Sequence, residues 1–500
     1  MQKQARMSRG ASSFSIAVAI ISLGCLAVPG FRTPGAFELT KTGQRPGTSV
    51  GSGGARGAAA VPGLPRLRTC ARNPHLTEDE NGVPFFVAGV CPQSILHWST
   101  PDQMDAYFAD RQKRLFNFAW VVINAFDSQG KDSLTNPTDA RGHAMLLHGS
   151  SWDPENLNPA YVASVDAMVK SAADHGIYLF LDPFSSGYDP GPAGFDPSQH
   201  SPEEMRRWGE FWGKRYEQYS HLNFALGNDR LVWPQVDRVV DGLEKYMPDR
   251  LVTTDWENGP PGWTSDGTGP HCFYDAGHRW VNLDAWYEYH APQWATWYHY
   301  HLVNPVMPTC IFETFYEGMA AGRPQHIPTP PQMMREQVWG TVLNGGSGFG
   351  ILGSLDCTED PLPRLGKIPG VNAAEYGTTF FTARRWYELI PDWTHTFLTS
   401  QSGTPGKDDF AYVSAALTAD GSLGVCYYPG ESGMGFRLTV NMSRLGGGAG
   451  KSRARWYDPT SGTYQIIGRM ANSGAHVFTT PNANNQGAAD WVLVLDAVSQ

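Results

Sequence analysis

The sequence lacks the patterns that mark several common classes of protein. It contains no run of lysines and arginines, and its formal net charge is −10, so neither nucleic acid nor an anionic membrane surface is expected as a partner. No CxxC pair, HExxH motif or phosphate-binding loop is present, and His299 and His301 have no third ligand at a recognisable spacing. These absences argue against a zinc protease, a thioredoxin-like site and a barrel enzyme that depends on a metal or a phosphate. We therefore expect no cofactor.

Long apolar runs are also scarce. The stretch "FSIAVAIISLGCLAV" (14–28) follows three basic residues and is too short and interrupted to span a membrane comfortably. We interpret residues 1–30 as a signal peptide of a secreted, periplasmic or cell-surface protein, with an uncleaved signal anchor or lipidation at Cys25 as alternatives. No other segment approaches the ~20 apolar residues of a spanning helix, and we expect a monomer. The six cysteines beyond Cys25 allow fifteen pairings, among which the sequence does not choose.

Five hundred residues allow two or three domains. Residues 31–72 are rich in glycine, alanine and proline and are interpreted as a flexible linker, with order beginning near Asn73. The next part alternates strands with helices, one of which opens with a capping box at Thr100 and Gln103. Eight strand-like runs fall at 84–90, 116–124, 177–184, 223–226, 251–256, 280–289, 304–313 and 346–354. This pattern predicts a (β/α)8 barrel over residues 73–392.

The C-terminal part has a different sequence pattern. Short alternating runs such as "SLGVCYY" (422–428), "FRLTVNM" (436–442) and "DWVLVLD" (490–496) are separated by turn sequences. They predict a small antiparallel β-sandwich over residues 393–500, which we expect to act as an accessory domain without chemistry of its own.

Polar residues at the carboxyl ends of barrel strands line the mouth of the active site. The expected mouth is acidic, and its candidate residues are Asn124, Asp127, Asp182, Asn228, Asp229, Asp255, Glu257, Glu313, Glu317 and Asp356. Nine of the seventeen tryptophans lie between Trp208 and Trp297, and Trp256, Trp263 and Trp286 are close to this mouth in sequence. Aromatic faces suit the apolar face of a sugar ring, although most tryptophans pack in cores. The mouth therefore fits a neutral, polyhydroxylated ligand.

Cleavage of a glycosidic bond needs two carboxyl groups, one to protonate the leaving oxygen and one to attack or stabilise the sugar. Strands four and seven lie nearly opposite each other in a barrel, so Asp229 and Glu313 can flank a sugar at the ~5–5.5 Å separation of retaining enzymes. Asn228 can hold the 2-hydroxyl group of that sugar. For Asn228-Asp229 a simple turn is the alternative, and for Asp182 a bridge between loops is as good an interpretation as a substrate contact.

Several stretches resemble a known family. "LTEDENGVPFFVAGV" (76–90), "LGND" (226–229), "PVMPTCIFETFYEG" (305–318) and "WGTVLNGGSGFG" (339–350) resemble the apiosidase-like catalytic domain, glycoside hydrolase family 140 and its relatives. "RARWYDPTSGTYQIIG" (453–468) resembles the collagen-binding-type β-sandwich domain that commonly follows that barrel. The resemblance implies an exported glycoside hydrolase acting on a plant or algal polysaccharide or oligosaccharide.

The resemblance also implies individual roles. The GGD motif of the family corresponds to Gly227-Asn228-Asp229, which makes Asp229 the acid/base. The two glutamates of its GEPxYEG motif correspond to Glu313, as nucleophile, and Glu317, as a residue that braces the pocket.

The chain departs from the family at "GVCPQ" (89–93), "ETFYEG" (313–318) and "TTDWENGPPGW" (253–263). Because these departures fall where substrate is contacted, the sugar, the linkage and the choice of exo or endo cleavage stay open. The alternative function is an exported carbohydrate- or matrix-binding protein on a barrel without catalysis.

Overall fold

The structure is a computed structural model. It describes residues 63–124, 135–185, 199–226, 234–254, 280–287, 290–318, 329–352, 360, 362–367, 369–400, 403–446 and 450–498. The signal peptide predicted at 1–30 lies outside these residues. The domain limits at 72/73 and 392/393 stay predictions.

The described part opens with a small antiparallel sheet. Its strands are β1 (Leu67–Thr69), β2 (Thr77–Asp79) and β3 (Pro84–Phe85), in that order. The turn between β2 and β3 is held by the Asp79 carboxylate, which accepts hydrogen bonds from the backbone N–H groups of Asn81 and Val83, both at 2.9 Å. Regular structure thus begins at Leu67, before Asn73, because the β1 backbone pairs with β2.

Eight parallel strands form the barrel. Seven fall within runs expected from the sequence, and the fourth begins one residue before its run. The strands are β4 (Val87–Val90), β5 (Phe118–Val122), β6 (Tyr178–Asp182), β7 (Leu222–Leu226), β8 (Val252–Thr254), β9 (Asp284–Tyr287), β10 (Thr309–Glu313) and β11 (Gly348–Leu352). Six pair in the order β11-β4-β5-β6-β7-β8, and β9 pairs with β10. The ring closes because Ser347 N donates to Thr309 O at 2.8 Å and Asn282 N donates to Val252 O at 3.1 Å. The predicted fold class is confirmed.

The strands are apolar on both faces because both faces are buried. Phe118, Trp120 and Val122 of β5 belong to the cluster inside the barrel, where the Phe118 ring lies 4.5 Å from that of Phe180. The intervening residues Ala119 and Val121 pack outward against the helices. This two-sided burial explains the continuous apolar runs in the sequence.

Eight helices are present in the described part of the chain. They are α1 (Ile95–Trp98), α2 (Pro101–Lys113), α3 (Pro159–Asp174), α4 (Pro202–Tyr216), α5 (Pro234–Glu244), α6 (Pro292–Leu302), α7 (Pro331–Leu343) and α8 (Pro369–Thr382). All but α1 begin with proline, whose missing N–H group costs nothing in the first turn of a helix. At α2 the Thr100 N–H donates to the Gln103 side chain at 2.9 Å, as the capping box predicts.

Helices α4 and α5 approach each other closely through glycine. A Cβ atom on Gly209 would lie 2.1 Å from Val239 O, and one on Gly242 would lie 2.3 Å from Arg206 O. Only glycine allows the two backbones this separation.

The C-terminal part forms two antiparallel sheets, as predicted. The strands are β12 (Leu389–Pro391), β13 (Ser414–Thr418), β14 (Leu423–Tyr428), β15 (Arg437–Asn441), β16 (Lys451–Tyr457), β17 (Tyr464–Ala471), β18 (Ala475–Thr479) and β19 (Trp491–Val498). Six pair in the order β12-β13-β14-β19-β16-β17, and β15 pairs with β18. An apolar cluster that includes Leu438, Trp456 and Leu493 fills the space between the sheets.

Helix α7 lies between the barrel and the C-terminal sheets and is buried on every side from Met333 to Leu343. Its Trp339 ring stacks on Tyr427 of β14 at 5.9 Å. Its Arg335 guanidinium donates to both carboxylate oxygens of Asp490, each at 2.7 Å, and both side chains are buried. The barrel and the C-terminal sheets therefore share a continuous core.

Candidate active site

Glu313 is the last residue of β10, at the carboxyl end of the seventh barrel strand. It pairs with Tyr287 of β9, and the register shifts between Ile311 and Glu313. Such an irregularity breaks the strict alternation of side chains and is common at barrel rims beside active sites. The Glu313 side chain is buried, with 3% of the residue exposed.

Asn124 and Asp182 occupy the ends of the neighbouring second and third strands. Asn124 is fully buried, and its amide donates to Ser185 O at 2.9 Å and accepts from Ser185 N at 2.6 Å. Asp182 is also fully buried, and its carboxylate accepts from Phe184 N at 3.0 Å. The Asn124 bonds tie the loops after β5 and β6 together, whereas the Asp182 bond is local to the loop after β6. Their assignment to substrate binding stays a prediction.

Glu317 caps the start of α8. Its carboxylate accepts hydrogen bonds from Gly370 N at 3.0 and 3.1 Å and from Val371 N at 3.2 Å. A Cβ atom at position 370 would lie 2.4 Å from Pro331 O and 2.8 Å from Glu317 Oε2, and the backbone clash means that glycine is needed there. Burial raises the pKa of Glu317 to about 8, although the two N–H groups and Arg335 act in the opposite direction. These bonds fix the Glu317 side chain at the start of α8, and its role in bracing the pocket stays a prediction.

The other candidate residues lie outside the described part of the chain. They are Asp127, Asn228, Asp229, Asp255, Trp256, Glu257 and Asp356. The described strands β7 and β8 end at Leu226 and Thr254, shortly before five of these residues in sequence.

Trp286 does not offer a platform for a sugar, contrary to the expectation from its position. It is fully buried and packs with Ala295 and Ile311, and its ring lies parallel to that of His299 at 6.1 Å. The density of tryptophans in this part of the sequence thus reflects core packing in part, as it also does for Trp208 and Trp212 of α4.

His299 and His301 have local partners. His299 Nδ1 lies 2.9 Å from Asp284 Oδ2 at the start of β9, which is the end of the barrel opposite the mouth, and His301 Nδ1 lies 2.7 Å from Trp297 O. Within the described ranges, no three His, Cys, Asp or Glu side chains form a group that could hold a metal ion.

His290 was missed by the sequence analysis, which assigned no residue to the end of the sixth strand. It lies three residues after β9, and its Nδ1 atom is 2.7 Å from Asp408 Oδ2 in the C-terminal part. Its place after a barrel strand was a usable signal, but the partner is 118 residues away and no local pattern marks it.

A surface groove of about 880 Å³ lies elsewhere, between α3 and α4 on the outside of the barrel. Its floor includes Ala163, Ala167 and Phe211, and Lys214 and Arg215 stand at its edge. Because active sites of this fold lie at the carboxyl ends of the strands, this groove is not the catalytic site.

Comparison with solved structures identifies the class of protein. The chain is similar to a glycoside hydrolase family 5 protein from Bacteroides vulgatus ATCC 8482, with a TM-score of 0.67 and 16% identity over 86% of this chain and 93% of that one. It is also similar to a structure named "Glycoside hydrolase", with a TM-score of 0.69 and 16% identity over 87% and 98% of the two chains. These likenesses show that the fold is the (β/α)8 barrel found in glycoside hydrolases.

Comparison with family models identifies the family. Residues 71–354 match the model described as "Apiosidase-like, catalytic domain". The chain belongs to this apiosidase-like family, and its catalytic domain is that of a glycoside hydrolase. Residues 406–496 match the model described as "Putative collagen-binding domain of a collagenase", so the resemblance drawn from the sequence is confirmed for both parts. No curated protein matches the chain.

Proposed function

We propose that this protein is an exported glycoside hydrolase that cleaves a plant or algal polysaccharide or oligosaccharide by a retaining mechanism. Asp229 acts as the general acid/base and Glu313 as the nucleophile. Asn228 holds the 2-hydroxyl group of the sugar, while Asp255, Trp256, Glu257 and Asp356 contact the substrate around it. The chemistry needs one protonated and one ionised carboxyl group at the working pH.

The observation that carries this proposal is the position of Glu313. It ends the seventh strand of a barrel whose family consists of glycosidase-type catalytic domains, and it is held in a buried, irregular part of that strand. A buried carboxylate at the end of a barrel strand suits a nucleophile, because attack requires the reacting oxygen to be placed precisely. The Glu317 carboxylate, by contrast, accepts hydrogen bonds from backbone N–H groups at the start of α8.

The test is a set of hydrolysis assays on the full chain. Glu313→Gln should lower kcat roughly 10³-fold or more while sparing binding, because an amide cannot attack the sugar. Asp229→Asn should lower kcat/KM most with poor leaving groups and less with activated aryl glycosides, which need little protonation. Glu155→Gln, at an 88% exposed side chain, serves as the control.

Three results would contradict the assignment. Near wild-type turnover in Glu313→Gln would remove the nucleophile. Inversion of the anomeric centre in the product would exclude the retaining mechanism. Binding of a polysaccharide without release of any product, from a broad plant and algal panel, would favour the non-catalytic binding protein.

Export is part of the proposal. It rests on the basic residues followed by the short apolar run at 14–28. None of the described helices is long and apolar enough to cross a membrane. N-terminal sequencing of protein recovered outside the cytoplasm should find a start between residues 25 and 40, and an intact Met1 would contradict export by cleavage.

A further inference from the structure

Residues 403–412, between β12 and β13, leave the C-terminal sheets and reach the barrel; we call them the rim segment. Within this segment, Asp408 makes two contacts with the loop after β9. Its Oδ2 atom lies 2.7 Å from His290 Nδ1, and its Oδ1 atom accepts a hydrogen bond from Ala291 N at 2.8 Å. A single carboxylate thus fixes both an imidazole ring and the backbone beside it.

The second of these contacts caps helix α6. Ala291 is the N-cap residue of α6, and alanine has no side chain that could satisfy the free N–H groups of the first turn. The Asp408 carboxylate takes this place and lies where the helix dipole favours a negative charge. Burial raises the pKa of Asp408, but the bonds to His290 and Ala291 outweigh it, and the net shift is downward. Asp408 is therefore held as a carboxylate.

Two apolar contacts hold the rim segment on the barrel. Gly406 lies against the Trp297 ring of α6 so closely that a Cβ atom there would be 2.7 Å from Trp297 Cε3. The Phe410 ring meets the Phe315 ring edge to face, with 5.6 Å between centroids. Gln293 of α6 adds a hydrogen bond from its side chain to the backbone of the segment. With the Asp408 contacts, the segment is thus anchored on α6 and on the loops after β9 and β10.

These loops are the ones that follow strands six and seven. Tyr287 is opposite Glu313 in the register of β9 and β10, and His290 and Phe315 come three and two residues after them. The rim segment therefore lies along the barrel mouth beside the strand that carries Glu313.

We propose that the C-terminal module completes the active site, with Asp408 as a positioning residue that holds His290 at the mouth for contact with the substrate. This inference rests on the proposed function. An imidazole whose Nδ1 atom faces a carboxylate has a fixed orientation and tautomer. The His290 side chain keeps 15% exposure, and its ring packs on Trp294 at 4.3 Å. The two rings form an aromatic surface of the kind that the apolar face of a sugar ring contacts.

The test compares Asp408→Asn with His290→Ala and the double variant in the full chain. Asparagine can still accept the Ala291 N–H bond, so the cap on α6 is kept while the charge facing His290 is lost. With the aryl glycoside that wild type hydrolyses fastest and with a longer oligosaccharide, Asp408→Asn should raise KM about tenfold with little change in kcat. His290→Ala should do the same, and the double variant should be no worse than His290→Ala alone. Melting temperatures should stay near that of wild type.

A matched control is available in the His175–Asp105 pair on α2 and α3, where His175 Nε2 lies 3.0 Å from Asp105 Oδ1. Asp105→Asn should leave KM unchanged. If Asp408→Asn left KM at the wild-type value, or if its effect added fully to that of His290→Ala, the positioning role would be overturned while the proposed function stood. A wild-type chain that cleaves no glycoside would overturn the proposed function and this inference with it.

Discussion

Two features of its surroundings push the Glu317 carboxyl group in opposite directions. Burial disfavours its charge, whereas the N–H groups of Gly370 and Val371 favour it. Burial dominates, and the pKa rises from 4.5 to about 8. A carboxyl group whose pKa is raised by folding stabilises the fold below its unfolded value, and this contribution is lost as the pH rises through the folded value. The relevant window thus runs from about pH 4.5 to about pH 8.

Glu317→Gln should flatten the pH dependence of stability across this window, because glutamine stays neutral and can still accept one N–H bond. Between about pH 5 and pH 8, wild type should lose up to a few kcal/mol of unfolding free energy that the variant keeps. Urea unfolding at both pH values measures the difference. The exposed Glu155→Gln variant should follow wild type, and a Glu317→Gln variant with the full wild-type slope would show that Glu317 is ionised in the fold.

At the scale of elements, α7 is unusual because it has no solvent-facing side in the described structure. Barrel helices normally turn one face to water, but here the C-terminal sheets cover that face. The buried residues include an ion pair, because the side chains of Arg335 and Asp490 are both inaccessible to solvent. Gln486 and Asn484 add hydrogen bonds to Arg335 and Asp490, at 3.1 and 2.8 Å. A buried pair of this kind tolerates poorly the loss of one member.

Asp490→Asn should therefore destabilise the fold by about 3–5 kcal/mol, because it leaves the Arg335 guanidinium buried without a counter-charge. Asp174→Asn breaks the exposed Lys170–Asp174 pair and should cost less than about 1 kcal/mol. Denaturant unfolding of both variants gives the comparison. Equal small losses would mean that Arg335 reaches water or another partner after the change.

At the scale of the whole molecule, the barrel and the C-terminal sheets are joined through a shared hydrophobic core rather than through contacts between their surfaces. One continuous apolar cluster contains barrel residues such as Phe224 together with Trp339 of α7 and Val425 and Val494 of the sheets. The assignment of the C-terminal region as an accessory domain stays a prediction. The match of this region to a family named for collagen binding shows only similarity to that family. In this chain, its inner face packs against the barrel.

Deleting residues 393–500 should accordingly abolish cooperative folding of the barrel, since it exposes the apolar face of α7 and leaves Arg335 unpaired. The truncated chain should bind a hydrophobic dye and show no sharp thermal transition, whereas the full chain should unfold in one step. Calorimetry and dye binding measure these outcomes. A truncated chain that melted as sharply as the full chain, with unchanged turnover of aryl glycosides, would show that the barrel is independent.

The sequence by itself determined the architecture. The eight apolar runs, the proline-led helices and the short C-terminal strands reflect local patterns of burial and capping, and each of these patterns is complete within a few residues. The Glu313 position followed from the same logic, since it ends a run that must be a strand. The family motifs extended this to Glu317, whose bonds fix it at the start of α8 and whose role in bracing the pocket stays a prediction.

Only the tertiary structure decided how the parts depend on each other. Four features depend on residues that are far apart in sequence or belong to different sheets. They are the register shift at Glu313, the burial of Trp286, the Arg335–Asp490 pair and the contact between Asp408 and His290. The hydrophobic pattern of a sequence does not show which strand faces which loop. A residue has the same place in that pattern whether its side chain meets solvent, the core or a partner 118 residues away. Such contacts arise when helices and strands pack against each other, so they can be identified only once the positions of both partners are known.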